Sequence, residues 1–221
     1  MKHPAKYSDP LLPIFESLLA ELQGDSKVLD PFAGTGKIHL LPFDTYGVEI
    51  EPEWARMHPK TVCADSCDMP FESESFDAIC TSPTYGNRMS DHHNAKDTSS
   101  RNTYTHTLGR QLSDNNSGKM PWGDSYKELH QKVYLECFRV LRPGGSFILN
   151  IKNHIRHGVE VDVTAWHIEA LESLEFRLEV SQQIPLPGNR FGANGVMRVP
   201  YESVILFKKG IDNLGSRHPG F

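Results

Sequence analysis

The amino-acid sequence predicts an α/β fold built on a mostly parallel, doubly wound sheet. Three observations carry this expectation. Short apolar runs recur along the chain, and most are nearly continuous in apolar character, as in parallel strands buried on both faces. Helical patterns lie between them, which is the alternation of α/β folds. The length of 221 residues suits one domain spanning 1–221 and makes two full domains improbable.

Taken in order, the first element is a helix. Leu11, Leu12, Ile14, Phe15, Leu18, Leu19 and Leu22 recur at helical spacing, with Ser8 or Asp9 as cap, Pro10 in the first turn and Gly24 as the stop. Strand-type runs follow at 27–29, 46–50, 61–63, 76–81 and 146–151. Helices are expected over 37–41, 53–58, 124–141 and 163–174. The long one starts at Asp124 and stops at the breaker Arg142-Pro143-Gly144-Gly145. Two strands, 176–180 and 203–208, close the chain with no helix between them, so the last is expected to insert antiparallel. Residues 86–123 break the rhythm. They are rich in Asn, Ser, Asp, His and Gly and leave directly from a strand end, where α/β ligand sites lie.

Composition narrows the classes. Hydrophobic residues at 38% and charged residues at 23% exclude a disordered or fibrous chain. Lys+Arg 23 against Asp+Glu 28 gives a net charge of −5, so a nucleic-acid surface must be a local patch on an acidic body. The 4 cysteines are too few and too oddly placed for a disulfide framework. Cys63, Cys80 and Cys137 lie in or beside apolar runs, as buried thiols of a reducing compartment do. No apolar run reaches the about 18 residues of a membrane span. The start, Met-Lys-His-Pro, has no apolar region behind it, and a cytoplasmic protein without a membrane partner is expected.

Four local motifs carry chemistry. In Val28-Leu29-Asp30-Pro31-Phe32-Ala33-Gly34-Thr35-Gly36 an apolar strand runs into a glycine turn that opens a helix. Gly34 and Gly36 let the backbone approach a ligand; nicotinamide, flavin and nucleotide cofactors, or a tight packing turn, all fit such a loop. Next, Glu49-Ile50-Glu51 ends the second strand. An acid there can accept both ribose hydroxyls of an adenosine cofactor, with Ile50 under the adenine; alternatively, Glu51 before Pro52 caps the next helix. Asp65-Ser66 follows the third strand, where a carboxylate can accept an adenine amine. Finally, the fourth strand ends in Ser82-Pro83-Thr84-Tyr85.

In this order and spacing the motifs resemble the class I S-adenosylmethionine-dependent methyltransferases. Within them the likeness is to the nucleic-acid amino-methyltransferases that act on adenine N6 and cytosine N4 of DNA. Asp30–Gly36 is similar to that family's cofactor loop, and Ser82-Pro83-Thr84-Tyr85 to its Asp/Asn/Ser-Pro-Pro-aromatic motif. His3-Pro4-Ala5-Lys6-Tyr7-Ser8 is similar to its His-Pro-x-x-Lys-Pro element, and Leu141–Gly145 to a common class I turn. The resemblance covers residues 3 to about 152. It implies a Rossmann-like, mostly parallel seven-stranded sheet with an antiparallel last strand and a long polar insertion after strand four. It implies S-adenosylmethionine held by Lys6, Tyr7, Asp30, Pro31, Phe32, Ala33, Gly34, Thr35, Gly36, Glu49, Ile50, Asp65 and Ser66. Ser82, Pro83, Thr84 and Tyr85 would be catalytic: Ser82 Oγ and the Pro83 carbonyl accept hydrogen bonds from the amine, and Tyr85 stacks on a base rotated out of the helix. Ser82 at the first position resembles cytosine-N4 enzymes more than adenine-N6 ones. Three features depart from the pattern: Thr84 stands for the second proline, the helix after Gly36 is short, and no separate target-recognition domain is evident.

Competing readings are few. Cytosine-C5 methylation needs a nucleophilic cysteine, in that family after proline, and no cysteine here follows one. Cys63, Asp65 and Cys67 match no common zinc spacing, and the histidines of 92–106 read as solvated or base-contacting, so no metal is expected. Double-stranded DNA is the expected partner, with RNA as the alternative. Its contacts would be Arg88, Arg101, Arg110 and Lys119 of the insertion, Lys152 and Arg156 after strand five, and Arg190 and Arg198 before the last strand. The insertion serves equally as a solvated lid over the cofactor. A small-molecule or protein methyltransferase, a non-catalytic DNA- or cofactor-binding module and a nicotinamide dehydrogenase remain as other classes.

Overall fold

A computed structural model describes residues 10–86, 104–185 and 199–211. In chain order the strands are β1 (Lys27–Asp30), β2 (Asp44–Glu49), β3 (Thr61–Cys63), β4 (Phe76–Thr81), β5 (Leu141–Ile151), β6 (His154–Arg156), β7 (Val159–Val161), β8 (Phe176–Pro185) and β9 (Tyr201–Lys209). The α-helices are α1 (Leu11–Leu18), α2 (Pro52–Ala55), α3 (Tyr104–Leu108), α4 (Asp124–Val140) and α5 (Val163–Glu172). Seven strands form one sheet in the order β3-β2-β1-β4-β5-β9-β8. The first five of these are parallel, and β9 runs antiparallel to both β5 and β8. This is the doubly wound α/β sheet read from the sequence, with its antiparallel last strand.

Both faces of the central strands β1, β4, β5 and β9 are covered, which is why they read as continuous apolar runs. On one face Leu11 and Phe15 of α1, with Leu19 just after it, pack against Val28, Ala78, Cys80 and Ile148. On the other, Val133, Cys137 and Val140 of α4 meet Ile79, Phe147 and Leu149. Residues 78–80 and 147–149 alternate between the two clusters, as the pleat requires.

Several boundaries differ from the sequence reading. The first helix ends at Leu18, and a backbone bond from Leu22 to Leu19 turns the chain before a second turn, closed from Ser26 to Gln23, that contains Gly24. Residues 37–40 make only a 3₁₀ turn. Strand β5 starts at Leu141, opposite Phe76, so Arg142–Gly145 is a bulge within the strand rather than a break before it. The hairpin β6–β7 was not expected. His157 and Gly158, at φ 52° and 78°, form its two-residue turn, and this His-Gly pair was the missed signal. Cys80 and Cys137 are buried as read, but Cys63 is exposed, because β3 is the sheet edge.

Gly47 of β2 fixes how closely the loop after β1 can approach. A Cβ there would lie 2.6 Å from Ala33 Cβ and 2.9 Å from Thr61 Oγ1. Gly47→Ala is expected to destabilise by about 1–3 kcal/mol through overpacking. For a chain of this size that lowers the melting temperature by roughly 2–4 °C per kcal/mol, read by differential scanning calorimetry.

Candidate active site

The strand order reverses between β1 and β4, and α/β ligand sites open at that switch point. A cavity of about 270 Å³ lies there. Its walls are Pro31–Thr35 after β1, Glu49 and Ile50 after β2, Asp65 and Ser66 after β3, and Ser82–Tyr85 after β4. Tyr104, Asn115, Asn116 and Ser117 close it from the insertion side, Leu129 and Val133 from α4, and Glu202 from β9. The catalytic and cofactor candidates from the four strand ends therefore share one cavity.

The first loop is held by its own acids. Asp30 Oδ1 accepts from Phe32 N and from Thr81 Oγ1, each at 2.9 Å, tying β1 to β4. Gly34 (φ 54°) donates its N–H to Glu49 Oε2 at 2.9 Å, and Glu51 N donates to Oε1 at 2.8 Å. Burial of Glu49 pushes its carboxyl up to about 7; the two N–H bonds oppose the shift, while the charges of Glu51 and Asp30 add to it. Gly36 (φ 79°) closes a turn onto Ala33 O. Ser66 Oγ donates to Pro31 O, and Asp65 accepts from Cys67 N and from Asn115 Nδ2. Asp30 and Gly36 stand behind the cavity wall rather than in it. Lys6 and Tyr7 lie outside the described residues.

The fourth loop is braced from below. Tyr126 Oη donates to the Thr84 carbonyl at 2.5 Å and lies 3.0 Å from His167 Nε2, while Tyr134 Oη lies 2.5 Å from His167 Nδ1. The single Tyr126 proton goes to Thr84, so His167 Nε2–H donates to Tyr126 and Nδ1 accepts from Tyr134. That assignment needs a neutral imidazole, and complete burial holds His167 well below the usual histidine range. Thr84 Oγ1 also donates to Ser117 Oγ at 2.9 Å. Hydrogen bonds thus fix the turn at the position where Thr84 stands in place of a proline. Within the turn, Ser82 Oγ lies 3.2 Å from Tyr85 Oη and 3.0 Å from Asn150 Nδ2.

Glu51 occupies the N-cap position of α2, but its side chain makes no capping bond there. Its carboxylate is fully buried and accepts from Ser113 N and Asn116 Nδ2, each at 2.8 Å, and from Arg110 Nη2 at 2.7 Å. Arg110 also forks onto Glu53 at 2.9 and 2.5 Å. This corrects the reading of Arg110 as a phosphate contact: two carboxylates occupy its guanidinium. Lys119 pairs with exposed Asp114 at 3.3 Å. Lys152 follows β5 half-buried, and Arg156 is exposed on the hairpin beyond it. Arg88, Arg101, Arg190 and Arg198 lie outside the described residues. Sequence reasoning missed Asn150, Glu202 and the Tyr126–His167–Tyr134 chain. Asn150 had a signal, as a polar residue in an otherwise apolar run; Glu202 had none, being 117 positions from Tyr85.

No family model and no curated protein matches the sequence. Solved structures do match. A SAM-dependent methyltransferase from Methanosarcina mazei aligns over 89% of this chain and 98% of its own, at TM-score 0.58 and 14% identity. The 1,6-didemethyltoxoflavin-N1-methyltransferase of Burkholderia thailandensis, bound to its substrate and S-adenosylhomocysteine, aligns over 91% and 77%, at 0.52 and 15%. The chain has the class I methyltransferase fold. A [4+2]-cyclase shares it over 95% and 86%, at 0.55 and 12%. The reaction must therefore be argued from the site. Among the described residues, no group of His, Cys, Asp and Glu is placed to hold a metal ion. No described helix is long and apolar enough to cross a membrane.

Two outcomes follow from the buried groups. A carboxyl raised in the folded state favours folding below its unfolded range, near 4.5, and that stability is lost as pH rises through about 7. Relative to the parent, Glu49→Gln should gain stability between about pH 5 and 8, on the order of 3 kcal/mol, in urea unfolding without ligand. Tyr126→Phe leaves the Thr84 carbonyl and His167 Nε2 without their partner and should cost about 1–3 kcal/mol by the same measurement.

Proposed function

We propose that this protein transfers a methyl group from S-adenosylmethionine to an exocyclic amine of a DNA base, cytosine N4 before adenine N6. One observation carries the reading: Ser82-Pro83-Thr84-Tyr85 shares a cavity with the Gly34 loop and Glu49. The donor set fits the cofactor. Each Glu49 oxygen accepts one N–H and keeps a lone pair for a ribose hydroxyl. Ile50 offers an apolar face for the adenine and Asp65 an acceptor for its amine. When bound, the cofactor supplies a methyl carbon already activated by a cationic sulfur. The protein has to hold the amine in line with that carbon and accept hydrogen bonds from it, since its lone pair is delocalised into the ring. Ser82 Oγ and the Pro83 carbonyl are the acceptors, and the Tyr85 ring is the stacking surface. Tyr104, Asn115, Asn116 and Ser117 form the side of the cavity that the insertion contributes.

The test uses methyl-labelled cofactor with unmethylated DNA and, in a separate arm, transfer RNA. Digestion to nucleosides and mass analysis identify the product. N4-methylcytosine in the DNA arm is expected. N6-methyladenine would move the target base, label only in RNA would move the substrate, and no base label would remove the reading. Ser82→Ala and Tyr85→Ala should each lower transfer by about 100-fold or more. Both should still bind S-adenosylhomocysteine, measured by calorimetry.

A further inference from the structure

The Ser82 hydroxyl poses a chemical problem that the reading above leaves open. Methylation of a neutral amine makes the nitrogen cationic, and a proton must leave it. A carboxylate at the first motif position can accept that proton; a serine hydroxyl is far too weak a base to keep it.

The sheet brings a carboxylate to the same corner. In the parallel pairing of β4 with β5, Thr81 stands opposite Leu149, which sets Ser82 beside Asn150. In the antiparallel pairing of β5 with β9, Ile151 stands opposite Ser203, so Glu202 comes next at the same end of the sheet. Glu202 lines the cavity. Asn150 Nδ2 lies 3.0 Å from Ser82 Oγ, 3.2 Å from Tyr85 Oη and 3.2 Å from Glu202 Oε2. An amide nitrogen only donates and carries two hydrogens, so the shortest of these contacts, to Ser82 Oγ, takes an acceptor position there and leaves the serine hydrogen to point onward. Ser82 O–H then faces Tyr85 Oη at 3.2 Å, and Tyr85 O–H faces Glu202 Oε1 at 3.5 Å. The second lone pair of Ser82 Oγ stays available to the substrate.

We propose that Glu202 is the final proton acceptor of the methyl transfer, reached from Ser82 through Tyr85 Oη. The inference rests on the base-amine reading. The amine lone pair forms the N–C bond to the methyl carbon as the C–S bond breaks, its electron pair going to sulfur. The nitrogen gives its proton to Ser82 Oγ, Ser82 gives its own to Tyr85 Oη, and Tyr85 gives its own to Glu202. The products are the methylated amine, the neutral thioether and a Glu202 carboxylic acid, which returns its proton to solvent. Glu202 acts through Tyr85 and is a positioning and proton-accepting residue rather than a stacking one.

The experiment measures single-turnover methylation of unmethylated DNA at saturating S-adenosylmethionine. Glu202→Gln should lower the rate about 100-fold, the scale of general-base catalysis. Affinity for S-adenosylhomocysteine and KM for DNA should change less than about threefold, and Glu202→Asp should recover part of the rate. Tyr85→Phe keeps the ring and removes the relay oxygen, so it should slow the same step. The double variant should be no slower than the slower single one, because both cut one path. A Glu202→Gln enzyme at the parental rate overturns the relay, as do fully additive losses or a loss confined to KM and thermal stability. A parent enzyme that labels no base amine removes the base-amine reading itself, and the relay with it.

Discussion

Val28 and Leu29 of β1 lie in parallel register with Ala78 and Ile79 of β4, so the two strands end at the same level, side by side. Everything at the site depends on that pairing. A loop leaving each strand has nowhere to go but over the sheet edge, and the two loops open as facing walls of one cleft. The Thr81–Asp30 hydrogen bond locks the ends together at the last residue of each strand. It is buried, and the same Asp30 oxygen turns the chain through Phe32 N. Asp30 acts as a hinge pin for both walls rather than as a wall itself. Parallel strands need covered faces, so α1 and α4 are as much a condition of the site as the loops.

The two acids around α2 show how environment divides like groups. Glu51 is compensated by a guanidinium, an amide and a backbone N–H, and it gathers a distant segment onto the cavity. Glu49 accepts two backbone N–H bonds, and its burial outweighs them to push the carboxyl up. A polar chain under the Ser82–Tyr85 turn follows the same logic. Tyr134, His167 and Tyr126 are buried, and their protons run in one direction to end on a carbonyl. A satisfied chain of this kind rigidifies its surroundings; a half-satisfied one would weaken them.

The sheet was legible because buried parallel strands leave runs that need no partner information. All seven were readable, as was the reversed last strand, since two strands without a helix between them leave few other options. Helix ends were less legible. Leu22 continues the apolar spacing of α1, yet turns beginning at Leu19 end the helix sooner. At the site, the residues after each strand could be read from local order, whereas those acting through space could not. Glu51 looked like a cap and Arg110 like a phosphate contact, and only the tertiary fold shows that they meet. Thr84 stood out only as a departure from the motif, and its carbonyl and hydroxyl have partners on α4 and in residues 117–119.

The roof over the cavity joins residues far apart in the chain: Asn116 reaches back 65 positions to Glu51. Closing so long a span costs chain entropy that only completed contacts can offset. The same few groups, Glu51 and Trp54, give the roof its seat, so the cavity's cover is anchored to the short helix beside its own floor.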